Sequence, residues 1–534
     1  MFEGTMGRVE TAELKIEDGL SSERVSSEMP RADSGLGWAA VISAAIVVLL
    51  LFYAGRYGYM SDEFYFLACA DHPSWGYADL PPLLPWLTWI AVHTIGSSLL
   101  AIRLYPALAA GTAVWIAALL ARELGGGRRA VILAAALVAT SPILIGVGHI
   151  LSTNALDYPF WVLAVLLLVR IEKGGHPALW LAVGAVISLS LLHKYTMAFF
   201  LAPLLLAMLL TPWRRYYLSR WFWAGLLLAA IIVLPNVLWQ AHAHFPFLEL
   251  QHHNAVTHRN VVLPPLQFVL AQALLANLVS FAIAVAGIAF CLTPPMRRYR
   301  MLGFAILGFF LVMYALHARD YYLGGIYPLM FALGALAMER WFSGPWAWRG
   351  VLAFTALAVA QWFTMLPTML PVFSPARLEA YYKSLPLHRT EPENWKHSNI
   401  PDYIADQFGW QERVEMVARY YNALPAEERA DTAILGQFYG QAGAIDHFGP
   451  ALGLPKAIGG HHSYWYFGPH DYHGHSVIFL DMPKSHLDEH CASITLVGER
   501  SSPLMREVHN APIFHCRGLN YDVTAEWYHF RHID

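Results

Sequence analysis

Between about Ala39 and Pro371 the chain repeats apolar runs of roughly membrane length, separated by short polar turns. No feature constrains the fold more. A helix of about 20 apolar residues crosses the ~30 Å hydrocarbon layer of a bilayer. In that layer every backbone N–H and C=O must be paired internally, so repeated spans of this kind close as helices. We place runs near 38–58, 98–121, 130–147, 154–170, 177–193, 195–211, 221–240, 264–293, 301–317, 321–338 and 350–370, the fourth to sixth being short. The run Pro81–Ile95 is broken by prolines and contains His93, and reads as a surface helix.

Composition agrees. Apolar residues make up 57% of the chain and charged residues 14%, against about 25% charged in a soluble domain. The net charge of −3 gives no basic field, so no nucleic-acid partner is expected. The four cysteines form no C-x-x-C pair, which argues against a thiolate zinc or redox motif. Residues 1–36 hold eight acids against four bases and lack the apolar segment of an export signal. They read as a disordered cytoplasmic tail.

Orientation follows from Lys and Arg in the short loops. One set, from Arg122 to Arg349, holds thirteen, and the alternate set holds five, Arg56, Arg103, Lys194, Arg259 and Arg319. The first set is expected in the cytoplasm. The loop 59–97, the His-rich loop 241–262 and the C-terminal region are then outside. From residue 372 to 534 charges, turns and short β-rich runs return, as at 476–480 and 494–497, with helical patterns near 402–423 and 436–447. That alternation predicts a soluble α/β domain following a transmembrane domain over 37–371. Cys491 and Cys516 there are either a pair or two separate thiols.

The unusual polar residues gather on the outer side. Asp62, Glu63 and Asp79 lie in the first outer loop, His149, Asn154 and Asp157 in the second outer turn, His193 and Lys194 in the third, and Arg319, Tyr321 and Tyr322 in a later one. Carboxylates at a membrane exit are costly and rarely idle. A carboxylate ringed by cations suits transfer between a hydroxyl or amine and a phosphate-linked electrophile, with the carboxylate as general base and Arg or Lys on the phosphate. Each residue also has a plainer reading. The acid pair can cap a helix and Asp157 can favour a helix N-terminus. Lys194 and Arg319 can snorkel to the interface. His242, His244, His252, His253 and His258 show H-x-H and H-H pairs that fall short of a metal-ligand spacing.

The stretches Tyr57-Gly58-Tyr59-Met60-Ser61-Asp62-Glu63-Phe64-Tyr65-Phe66 and Trp75-Gly76-Tyr77-Ala78-Asp79-Leu80-Pro81-Pro82-Leu83 resemble the first outer loop of the protein O-mannosyltransferase-like glycosyltransferases, which include bacterial aminoarabinose transferases. Arg103–Leu108, Ala121–Gly126, Ser152–Asp157, His193–Thr196 and Arg319–Tyr322 resemble later segments in order, over roughly residues 40–340. The resemblance implies a polytopic α-helical membrane protein of the glycosyltransferase superfamily C (GT-C) fold with a C-terminal extracytoplasmic α/β domain. It implies an inverting hexosyl- or pentosyltransferase of the cytoplasmic (inner) membrane, acting on the cell envelope from its periplasmic face. The donor is a polyprenyl-phosphate sugar, and the acceptor stays open among lipid, polysaccharide and protein.

By carry-over Asp62 is the catalytic base, Glu63 completes the acidic pair and Asp157 is a second active-site acid. Arg103, Lys194, Arg319, Tyr321 and Tyr322 are candidates for the donor phosphate, and Asp79, His149 and His193 for other substrate contacts. A divalent metal is left open at Asp62 and Asp157. One departure is that Leu80 stands before the Pro-Pro pair, where aminoarabinose transferases carry a phosphate-binding Lys. The alternative from another class is a transporter or flippase for a polar lipid or lipid-linked sugar. It is disfavoured by the absence of paired repeats and by charges clustered at one face.

Overall fold

The computed structural model describes residues 34–386, 391–394, 398–470, 472–499, 502–506 and 509–534. Apart from residues 34–36, the tail expected over 1–36 lies outside the described residues. The apolar part is a helical bundle. Its elements are α1 (Leu36–Tyr53), α2 (Ser61–Asp71), α3 (Leu83–Thr94), α4 (Leu99–Glu123), α5 (Arg128–Ala139), α6 (Pro142–His149), α7 (Asp157–Glu172), α8 (Leu179–His193) and α9 (Thr196–Leu209). They continue with α10 (Arg220–His242), α11 (Pro246–Val256), α12 (Pro265–Ala276), α13 (Leu278–Cys291), α14 (Arg300–Ala315), α15 (Tyr327–Trp341), α16 (Pro345–Met365) and α17 (Pro375–Ser384).

Helices occupy each of the eleven expected segments. By length and composition, five helices among the described residues are long and apolar enough to cross a membrane alone, or up to eight if each of three bent pairs is one span. α8 and α14 are apolar but shorter. The bends have local causes. Pro142 opens α6 after the break from α5, at an angle of 59°. At the 109° turn between α12 and α13, Asn277 adopts a φ of 81° and its side chain caps Val279 N and Ser280 N at 3.1 and 3.3 Å. α1 and α10 carry Val48, Phe52, Trp223 and Leu227 more than half exposed, an apolar outer face suited to lipid. Glycines bring helices into backbone contact: a Cβ on Gly184 would lie 2.1 Å from the Gly225 oxygen where α8 meets α10.

Beyond α17 come α18 (Asp402–Ala405), α19 (Trp410–Asn422), α20 (Ala426–Ala430), β1 (Thr432–Gly436), α21 (Tyr439–Phe448), α22 (Ser463–Phe467), β2 (Ser476–Leu480), α23 (Lys484–His490), β3 (Cys491–Gly498) and β4 (Ile513–Leu519). The sheet order is β1-β2-β4-β3, with β1 parallel to β2 and the other pairs antiparallel. Cys491 and Cys516 form a disulfide joining β3 to β4, while Cys69 and Cys291 are free and buried.

A boundary at residue 371 is not a packing boundary. Phe64, Tyr65 and Leu84 of the first loop share one hydrophobic core with Trp410, Val414, Ala442, Ile445 and Ile478 of the C-terminal region. The sheet domain therefore seats on α2 as a roof, and α2 is clamped between roof and bundle.

Candidate functional site

Helix α2 divides its two acids between structure and cavity. Successive helical residues are turned by about 100°, so Asp62 and Glu63 cannot face the same way. Glu63 is fully buried and forms a bidentate pair with Arg103, Oε1 to Nε at 2.8 Å and Oε2 to Nη2 at 2.7 Å. It also accepts from Met60 N and Leu151 N, both at 2.9 Å. The bond to Met60 caps the first turn of α2. Arg103 also donates to the Ala54 and Gly58 carbonyls. This corrects the reading of Glu63 as half of a catalytic pair and of Arg103 as a phosphate ligand: both are consumed by one buried ion pair that fixes the turn carrying Asp62.

Asp62 faces a cavity of about 440 Å³ between bundle and roof. The bundle end is lined by Ile143, Val147, Ile150, Phe199 and Leu275, and the roof end by Tyr439, His462, Arg506, His509 and Asp534. Asp79, Lys194, Arg319, Tyr321 and Tyr322 line the same cavity. Six of the residues expected at the site therefore meet there, drawn from four separate parts of the chain.

Burial pushes the Asp62 carboxyl above the usual carboxylate range, opposed by a hydrogen bond donated by the Tyr439 hydroxyl to Oδ1 at 2.7 Å. Asp79 is pushed up to about 7, mainly by burial, with the Tyr65 hydroxyl 2.5 Å from its Oδ1 opposing. A carboxyl of raised proton affinity is suited to take up a proton near neutral pH.

Four cations line the cavity. Arg319 pairs with Glu393 at 2.5 Å, and Arg259 with the same carboxylate at 3.7 Å. Arg506 pairs with Asp406 at 3.0 Å. Lys194 differs from these three. Its ammonium donates to Asn154 and lies 4.3 Å from the Tyr322 ring centroid and 5.5 Å from that of Tyr321. Among the described residues no ion pair joins it to a carboxylate, although Asp157 acts on its charge from behind the wall.

Other expected residues fall behind the wall. Asp157 is buried, and its Oδ2 accepts from Thr196, a lining residue, at 2.9 Å. It stands behind the cavity rather than in it. His149 and His193 are buried outside the lining, and neither ring has a hydrogen-bond partner among the described residues. The expectation that they contact substrate is corrected by that placement: both end helices that pack into the core.

At Asp62 and Asp157, where a metal was left open, the two acids are placed differently, and Asp157 Oδ1 has no hydrogen-bond partner among the described residues. One acid faces the cavity, and the other is turned to Thr196. Among the described residues, the one group of three or more donors close enough for a metal is His461, His532 and Asp534. There His461 Nε2 lies 2.9 Å from Asp534 Oδ1, and both His532 nitrogens lie 2.9 Å from carbonyl oxygens of Phe530 and Gln437. These atoms already have hydrogen-bond partners, which ties the chain near residue 534 to the roof.

The roof's contribution is hardly legible in the chain. Glu393, Tyr439, Arg506 and Asp534 are far in the chain from Asp62, and no motif or period marks them. The available signal was the spacing Gly440-x-x-Gly443 on a predicted helix, which permits close helix contact but does not say with what.

Residues 79–239 match the family model described as dolichyl-phosphate-mannose-protein mannosyltransferase. No curated protein matches significantly. Among solved structures, ArnT from Cupriavidus metallidurans bound to undecaprenyl phosphate superposes with a TM-score of 0.61 at 12% identity, covering 90% of this chain and 98% of that one. Its apo form gives 0.59 at the same identity and coverage. The likeness is one of fold, and it extends through the roof domain. Residues 79–239 are thus similar to that family of mannosyltransferases, within a fold shared with ArnT.

Proposed function

We propose that this protein transfers a sugar from a polyprenyl-phosphate donor to an acceptor at the extracytoplasmic face of the inner membrane, with inversion and with Asp62 as general base. The observation that carries the reading is the joint placement of Asp62 and Lys194 in one cavity with an apolar bundle end and a polar roof end. The acceptor hydroxyl or amine gives its proton to Asp62. Its lone pair bonds to the sugar's anomeric carbon as the bond from that carbon to the phosphate oxygen breaks. The electron pair leaves with the phosphate, whose charge Lys194 meets, with Arg319, Tyr321 and Tyr322 beside it. The ArnT structure named above holds undecaprenyl phosphate, which supports the same donor class here. No step requires a metal.

The outward orientation of cavity and roof is supported by two observations. Thirteen Lys and Arg occupy the opposite loops. The Cys491–Cys516 disulfide suits an oxidising compartment. On this reading residues 37–371 are the transmembrane catalytic part and 372–534 the extracytoplasmic roof.

The test is reconstitution in vesicles with radiolabelled undecaprenyl-phosphate-linked hexoses and pentoses, using membrane extract as acceptor. Label moving to acceptor with wild-type protein, and more slowly with Lys194→Ala at matched subsaturating donor concentration, is expected. Label crossing the bilayer while staying on the lipid would support the transporter instead.

A further inference from the structure

The contact between roof and α2 is closer than a cover requires. A Cβ on Gly443 of α21 would lie 2.7 Å from Cβ of Phe64, and one on Gly440 would lie 3.0 Å from Cβ of Ser61. Two glycines thus set α21 directly against the turn that carries Asp62. The first residue of α21 is Tyr439, whose hydroxyl lies 2.7 Å from Asp62 Oδ1. Its ring is held between two others, 4.6 Å from the Tyr65 centroid and 4.9 Å from that of His461, the latter at an interplanar angle of 3°. The Tyr65 hydroxyl is itself tied to Asp79 and to Ser463 of the roof, the latter at 2.7 Å. His461 is tied to Asp534 at 2.9 Å. Tyr439 is therefore immobilised by packing on both faces and aims one hydrogen bond at one carboxylate oxygen.

We propose that Tyr439 is a positioning residue for the Asp62 carboxylate, so that the C-terminal domain forms part of the reaction centre rather than a lid over it. The proposal rests on the reading of Asp62 as base. An ionised carboxylate has more acceptor sites than Tyr439 uses. The bond to Oδ1 fixes the carboxylate plane and leaves Oδ2 as the oxygen free to take the acceptor proton. It also favours the ionised form, because a phenol donates to a carboxylate more strongly than to a neutral carboxyl. The other groups acting on Asp62 come from separate elements: Glu393 from the strap 391–394, Arg319 from the turn before α15, and Arg506 from the roof. Asp62 in turn raises the proton affinity of Asp79 and Asp406. Among the described residues none of these hydrogen-bonds to Asp62, and the Tyr439 hydroxyl is the direct roof contact.

The hydroxyl can be tested without knowing the substrate. Dicyclohexylcarbodiimide modifies protonated carboxyls in apolar membrane sites, and Asp62 lines an accessible cavity. The full-length protein in vesicles is labelled across pH, and the Asp62 peptide is quantified by mass spectrometry for wild type, Tyr439→Phe and Tyr439→Leu. Losing one charge-assisted hydrogen bond should raise the pH of half-labelling by about 1 unit, about tenfold in proton affinity. Phe and Leu should shift it alike, because both remove the hydroxyl. An unchanged profile in both variants, a shift in Leu alone, or no labelling of Asp62 at any pH would overturn the proposal. If Asp62→Asn retains sugar transfer while Tyr439→Phe shifts the profile, the geometry stands and the assignment of the base falls.

Discussion

The hydroxyl of Tyr439 lies 2.7 Å from Oδ1 of Asp62, across 377 residues of chain. The bond joins a membrane-exit helix to a soluble roof, and it makes the acidity of the candidate base depend on a residue outside the apolar bundle. Because that bond favours ionised Asp62, Tyr439→Phe should move the acidic limb of the rate–pH profile to higher pH. The rate should fall most below the shifted midpoint and recover at alkaline pH, by the profile of kcat/KM. A uniform loss at every pH would instead mean that the hydroxyl does not act through the acidity of Asp62.

Lys194→Ala should raise KM for the lipid-linked donor and lower kcat/KM by about 10- to 100-fold, the worth of one hydrogen bond to a charged group. Lys194→Arg should retain more activity than Ala. Steady-state rates over a donor titration separate this from a folding defect, which would lower the active fraction without moving KM.

Arg103→Met should destabilise the protein by about 3–5 kcal/mol, because it strands the buried Glu63 carboxylate. The readout is unfolding in detergent by denaturant or heat. Replacing both partners, Glu63→Leu with Arg103→Met, should recover part of that loss. Equal stability of Arg103→Met and wild type would return Arg103 to the list of free cations.

Stability should carry a pH signature from Asp79. Its pKa is raised to about 7 in the fold, against about 3.9 when unfolded. The folded protein therefore holds this proton more tightly, and the stabilisation is complete below the unfolded value and lost as pH rises towards about 7. Asp79→Asn cannot titrate, so the melting temperature of wild type relative to this variant should fall between pH about 4 and about 7. A constant difference across that window would show that Asp79 is ionised throughout.

Much of this architecture was legible in the chain, and the reasons for the rest are physical. Repeated apolar runs located the helices because backbone pairing in hydrocarbon permits little else. Asp62, Asp79, Lys194, Arg319, Tyr321 and Tyr322 were legible as one-sided polar residues, and they line one cavity. Glu63 and Arg103 were misread because adjacency in sequence hides the turn of about 100° that sends one acid to the cavity and its neighbour to the core. His149 and His193 stand at helix ends like true site residues, and only packing shows that they face inward. Tyr439, Glu393 and Arg506 were invisible because nothing in a soluble α/β pattern says which membrane loop it will cover.

The most direct test of the central claim is a single-turnover comparison of wild type with Asp62→Asn, in vesicles carrying the radiolabelled lipid-phosphate sugar that the wild type accepts. The variant is expected to fold and still bind undecaprenyl phosphate, while transfer to acceptor falls by at least about 100-fold, within the range general-base catalysis supplies. Transfer at the wild-type rate with binding intact would contradict it.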